Sequence, residues 1–261
     1  MRLGEYAAKV RYEDIPPEVL QRAKDCITDT VAVILFGAQF PWSKMLIAQA
    51  QRAGSGGKSA ILGTGSKVTA TAAAFAHGGM AHAFEQDNLT LPDSGAHPGA
   101  ALLSSGLAIA QDRGSSGRDL LTAFVTGAEV MIRIGRATKR TNEERGFHAP
   151  GTVGAFGGAV AGGKLMKFDA AKMTNALGIA GSTSGGLLEF ARANNGAMVK
   201  RLHLGRAAEG GVLADAGVKN FAVHADIWGR RASNYAIPGY PYQFPPDPPP
   251  PVGGRQPNSF N

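Results

Sequence analysis

The chain has 261 residues, 44% hydrophobic and 18% charged, with 36 glycines, 15 prolines and one cysteine. This is apolar material for one sizeable core or two small ones, while a single cysteine excludes an internal disulfide, a cysteine-built zinc site and a cysteine-ligated iron–sulfur cluster. Lysine and arginine number 27 against 20 acidic residues, a formal charge of +7 that suits an anionic ligand.

The basic residues are scattered rather than interleaved with aromatics, so no nucleic acid is expected as a partner. The amino terminus carries Glu5, Glu13 and Asp14 with no apolar core of a signal peptide. With the lone cysteine, this leads us to expect a cytoplasmic protein. The charge-free stretch 149–163 is rich in glycine and shorter than the roughly 20 residues of a spanning helix, so no membrane span is expected.

After Pro17, the apolar residues Val19, Leu20, Ala23, Cys26, Ile27, Val31 and Ile34 recur at steps of three and four up to Gly37, which predicts an amphipathic helix over 17–36. Ser43 is expected to cap a second helix ending at Ala53, and Thr69 a third that carries an alanine-rich face over 72–84. Residues 59–62 are the only short strand-like piece. A helix over 99–110 follows His97-Pro98, and Ser116 with Asp119 forms a capping box for a helix over 119–137. Two more are predicted over 152–166 and 170–179. In the first, Gly154, Gly158 and Gly162 each cost about 1 kcal/mol of helix propensity relative to alanine. Their stripe is expected to admit another helix closely, making 152–166 the central helix of a tight bundle.

A last helix is predicted over 204–216. Beyond it, residues 238–257 hold nine of the fifteen prolines, including the run from Pro248 to Pro251. That segment is expected to be extended polyproline or disordered, with the folded part ending near residue 235. The fold class is therefore all-α: a helical bundle with Gly/Ala-rich central helices and a Pro-rich tail.

Several familiar motifs fail on inspection. Gly54-Ser55-Gly56-Gly57-Lys58-Ser59 has Arg52 where a phosphate loop needs glycine, and reads as a flexible turn. Val68 breaks a dinucleotide fingerprint at Gly63-Thr64-Gly65. There is no G-x-S-x-G elbow and no i, i+4 histidine pair. A metal site from His82, Glu85, Asp87 and His97 is conceivable, but an organic acid/base cluster fits better and no metal is expected. Glu85 and Asp87 stand at the C-terminal end of a predicted helix, where carboxylates oppose the macrodipole. Gly146-Phe147-His148-Ala149-Pro150-Gly151-Thr152 delivers His148 to the entrance of the glycine-rich helix. Lys200, Arg201, His203 and Arg206 lead into the last helix, an arrangement that suits a carboxylate or phosphate.

These stretches, taken with Tyr12-Glu13-Asp14-Ile15-Pro16-Pro17, His97-Pro98-Gly99, Gly117-Arg118-Asp119-Leu120-Leu121, Ala176-Leu177-Gly178-Ile179-Ala180-Gly181 and Lys200-Arg201-Leu202-His203-Leu204-Gly205-Arg206-Ala207-Ala208, resemble the MmgE/PrpD family. That family includes 2-methylcitrate dehydratases and cis-aconitate decarboxylases. The resemblance runs from about Leu3 to Val218 and implies a family-like helical domain over 1–220, followed by a non-family tail over 221–261. It also implies that the smaller α/β domain of the family has no counterpart here. Family site positions fall on Asp87, with Glu85 beside it, and on His97, His148 and Lys200. Where relatives often carry two consecutive aspartates this sequence has Asp87-Asn88, so one acid is expected to serve.

The resemblance implies a lyase acting on a tricarboxylate or related hydroxy acid, by dehydration or decarboxylation, or a truncated form without activity. Such chemistry needs a proton acceptor, a proton donor and cations on the substrate carboxylates. Asp87 or His148 is expected in proton transfer with His97 as partner. Lys200 is expected to grip substrate with His203 or Arg206, and Glu85 and Arg201 complete the binding set. No cofactor is needed, and a homodimer is expected. The alternative reading is a non-catalytic helical protein that binds carboxylates or acts as a scaffold.

Overall fold

Proline opens the first long elements. In the computed structural model, which describes residues 3–91, 95–192 and 197–217, a short α1 (Leu3–Lys9) and a 3-10 turn (Tyr12–Asp14) precede α2 (Pro17–Gly37) and α3 (Pro41–Ala53). Pro17 and Pro41 occupy first-turn positions, where the missing N–H has no helical partner to lose. Ser43 does not cap α3. Phe40 precedes that helix, and Ser43 is buried inside its first turn.

Residues expected to form a turn instead form β1 (Ser55–Ala60), paired antiparallel with β2 (Lys67–Val68) across a bulge in which Ser55 and Ser59 both face Val68. Gly57 is required there, because a Cβ would stand 2.0 Å from the Val68 backbone. The hairpin is tied to the bundle by the buried Ser59 hydroxyl, which donates to the Ala108 carbonyl at 2.7 Å.

Helix α4 (Ala70–Ala81) begins where expected, with the Thr69 hydroxyl accepting from the Ala72 N–H. It ends three residues short of Phe84. Glu85 takes the left-handed region at φ +59°, so 82–88 leaves the helix as an irregular arm. After His97 the expected single helix divides into a buried π-helical segment (Pro98–Leu103) and α5 (Ser104–Arg113). The predicted capping box at Ser116 and Asp119 opens α6 (Gly117–Thr138). There follow α7 (Thr141–Glu144), α8 (Ala149–Leu165), α9 (Ala170–Thr183), a 3-10 turn (Leu188–Ala191) and α10 (Ala197–Gly217). Helix α10 begins at Ala197, so Lys200, Arg201 and His203 lie within it rather than ahead of it.

Close approach organises the core. A Cβ on Gly154 would stand 2.8 Å from Ala101 Cβ, one on Gly158 2.5 Å from Ser105 Oγ, and one on Gly211 of α10 2.7 Å from Gly158 Cα. On the other side of α10, a Cβ on Gly78 would stand 2.5 Å from the Leu204 carbonyl oxygen. Helix α10 is thus gripped between α4 and α8, and the glycine stripe makes room for it. Burial of alanine, leucine and isoleucine from α4, α5, α8 and α10 in one cluster offsets the propensity those glycines lose. The fold is an all-α bundle with one two-stranded sheet among the described residues. No single described helix is long and apolar enough to cross a membrane. The Pro-rich segment lies outside the described residues.

Candidate active site

The early end of α4 releases His82, Glu85, Asp87 and Asn88 from the helix, and Glu85 reaches the N-terminal turns of α10. Asp87 is buried, and each of its carboxylate oxygens accepts from one imidazole: Oδ1 from His82 Nδ1 and Oδ2 from His97 Nδ1, both at 2.8 Å. Burial by itself would raise the Asp87 carboxyl, but the two imidazole donors outweigh it and hold it below the usual carboxylate range. Burial acts in the opposite sense on His82 and, against the pull of Asp87, lowers it.

His97 stands immediately before the π-helical segment, whose first residue Pro98 sets the path of the chain. Asn88 fixes that path from the other side. Its amide oxygen accepts from Gly99 N–H at 3.0 Å, and its nitrogen donates to the Cys26 carbonyl at 3.2 Å and Thr30 Oγ1 at 2.9 Å. The residue after Asp87 consequently faces α2 and not the imidazoles.

His148 precedes α8. Its backbone N–H donates to the Gly186 carbonyl at 2.9 Å, beside an isolated bridge between Phe147 and Leu187. Gly186 has φ +131°, and a Cβ there would stand 3.0 Å from the His203 ring. His148 Nδ1 and His203 Nδ1 are 3.2 Å apart, so one donates to the other. Phe190 closes over both rings, with centroids at 5.0 and 5.4 Å. Burial first, then the electrostatic influence of His203, His82, Lys200 and His97, pushes His148 down to about 2.

The four rings form a continuous series: His97 to His82 at 5.0 Å, His82 to His148 at 6.3 Å and His148 to His203 at 5.3 Å between centroids. Cations border it. Lys200 Nζ lies 2.7 Å from Glu85 Oε2, and Arg201 Nη2 lies 3.2 Å from Glu85 Oε1. Arg201 Nε also donates to the Ala83 carbonyl at 3.2 Å, with its guanidinium 5.9 Å from the Trp42 ring centroid. Arg206 stands at the margin: it pairs with Glu209 and lines, together with His203, Gly151 and Gly186, a pocket of about 220 Å³.

Asp87, His97, His148, Lys200, Glu85, Arg201 and His203 are thus brought together, and Arg206 joins them only through the pocket it shares with His203. His82 is the member that sequence reasoning left out of the acid–base set, although its position five residues before Asp87 was the available signal. Ligand atoms of His82, Asp87 and His97 lie within 4.8 Å of one another, and among the described residues this trio could hold a metal ion. As arranged, both Asp87 oxygens are already used by imidazole N–H groups.

Fold and site define a class: a helical domain presenting buried imidazoles around one carboxylate, with a lysine and an arginine at the edge. The chain belongs to the MmgE/PrpD family, the model of the MmgE/PrpD N-terminal domain matching residues 1–220. It is 33% identical over 214 residues to cis-aconitate decarboxylase of Aspergillus terreus, covering 80% of this chain and 43% of that protein. It is 33% identical over 202 residues to cis-aconitate decarboxylase of Homo sapiens, covering 75% and 41%. With the cis-aconitate decarboxylase-like protein oryM of Aspergillus oryzae it shares 31% over 219 residues, covering 81% and 45%. The chain spans less than half the length of these relatives.

Proposed function

We propose that the chain carries the helical part of a lyase site for a tricarboxylate, with decarboxylation of cis-aconitate favoured over dehydration of a 2-methylcitrate-like hydroxy acid. The choice of outcome leans on the names of the relatives. The observation that carries the site itself is Asp87, shared by two imidazoles beside Lys200 and Arg201.

Lys200 and Arg201 hold substrate carboxylates, and Glu85 keeps the two cations in place while no substrate is there. Asp87 has both oxygens committed and its carboxyl depressed, so it is a poor proton acceptor and a good orienting group. Proton transfer then falls to His97, the more open of the two imidazoles on Asp87. His148 is held neutral and serves as a hydrogen-bonding partner to developing negative charge, oriented by His203. For decarboxylation, the carbon–carboxylate bond breaks, carbon dioxide leaves, the electron pair stays on carbon, and a proton from His97 is added there. A homodimer remains part of the proposal.

The test is product formation by the full chain supplied with cis-aconitate or 2-methylcitrate, followed by proton NMR. Turnover is expected with one of them, and Lys200→Ala and His97→Asn are each expected to lower kcat/KM by about 100-fold. A second reading, a carboxylate-binding protein without catalysis, is supported by Lys200 and Arg201 standing together at the edge of the cluster. Binding without turnover would select it.

A further inference from the structure

His82 is 1% exposed, and its second ring nitrogen, Nε2, has no hydrogen-bond partner. Leaving a buried polar atom unpaired costs about 1–3 kcal/mol, so a purely structural role would be better filled by an apolar side chain. The other nitrogen explains why a histidine stands there. A carboxylate only accepts hydrogen bonds, so the Nδ1 atoms of His82 and His97 both carry hydrogen. They approach opposite oxygens of one carboxylate at the same 2.8 Å. With a single donor the Asp87 carboxylate could turn about its own axis, whereas two donors on opposite oxygens fix it. The two imidazoles differ in access: the His82 side chain is 1% exposed and that of His97 is 16% exposed. His97 is therefore the one open to a ligand, and His82 acts on it only through Asp87.

We propose that His82 is a positioning residue: by donating Nδ1–H to one oxygen of Asp87 it pins the other oxygen on His97, locking His97 in the tautomer whose Nε2 is free for a proton. The tautomer lock is a property of the free protein, while its effect on turnover rests on the lyase reading above. A proton held at His97 Nε2 leaves the Nδ1–H···Asp87 bond intact, so the ring gains and returns one proton without losing its orientation.

Histidine-labelled full chain, observed by long-range proton–nitrogen NMR at neutral pH without substrate, reads the tautomers directly. Both His82 and His97 are expected with hydrogen on Nδ1. His82→Asn, whose side-chain nitrogen can stand near the Nδ1 position, is expected to keep the His97 tautomer. His82→Phe, which retains a ring and removes the donor, is expected to give a His97 tautomer mixture. If the chain turns over cis-aconitate, kcat is expected to fall about 100-fold in His82→Phe with KM little changed, and to recover in large part in His82→Asn. Hydrogen on Nε2 of His82 in the parent protein would overturn the proposal, as would an unchanged His97 tautomer in His82→Phe. A shift of both Nδ1 resonances on adding one equivalent of zinc would also overturn it, since the trio would then be a metal site. Absence of turnover with the tautomers as expected would count against the lyase reading and leave the positioning role standing.

Discussion

At the scale of single residues, Asn88 shows how a departure from the family pattern acquires a physical meaning. Its amide donates to a carbonyl and a hydroxyl and also accepts from a backbone N–H, a combination that an ionised aspartate cannot make. Its nitrogen also lies 3.2 Å from Asp29 Oδ2, so a second carboxylate here would face an acid. Asn88→Asp is expected to cost about 1–3 kcal/mol at pH 7 and less at pH 4, where the new acid is partly protonated; urea denaturation at the two pH values measures it. The sequence showed that only one acid stood at this point of the chain. It could not show that residue 88 faces α2, because the turn at Glu85 depends on a left-handed backbone conformation that no side-chain pattern announces. His82 carried a weaker signal, its spacing of five residues from Asp87, but its approach to the carboxylate needs that turn.

At the scale of elements, most helices were legible from periodicity, capping and composition, and α10 only in part. The periodicity of α2 and the capping box of α6 locate those helices to within a few residues. Helix α10 touches α4 on one side and α8 on the other, so its small and apolar residues are spread around it and periodicity picks out only its later turns. The β1 strand was hidden by weak strand formers. It is held by tertiary contacts, including Ala60 N–H to Gln111 Oε1 at 2.9 Å. The glycine stripe was read correctly as a place of close approach. Gly158→Ala gains up to about 1 kcal/mol of helix propensity, yet its Cβ would meet Ser105 Oγ at 2.5 Å and Gly211 Cα at 3.1 Å. A net loss of about 1–3 kcal/mol is expected from the overpacking. Gly117→Ala, into open space at the start of α6, is expected to be neutral or mildly stabilising, and thermal unfolding of the two variants beside the parent measures both effects.

At the scale of the whole molecule, residues from positions 82 to 203 meet in one buried cluster, and burying so many titratable groups makes stability depend on pH. Burial depresses His77 to about 4 and His148 to about 2. The unfolded chain binds protons on these groups as pH falls below about 6.5, while the folded chain does not, so stability is lost on acidification. At pH 5 the loss is about 2 kcal/mol for each of the two buried imidazoles. Asp215 opposes this. It is 1% exposed with both carboxylate oxygens unpaired, and burial raises it well above the usual carboxylate range. Because its folded value lies above its unfolded one, its stabilising contribution is full below about pH 3.8 and is lost as pH rises through the folded value. The histidines outnumber it, and denaturation midpoints are expected to fall between pH 7 and pH 5. Asp215→Asn is expected to steepen that fall and to raise stability at pH 8.

Calorimetric titration of the full chain with cis-aconitate, with Lys200→Met alongside, puts the shared polyanion site at most direct risk. One binding event per chain, weakened at least about tenfold in the variant, is the predicted result. Equal affinity in the two proteins, or no binding to a parent chain shown to be folded, would contradict it.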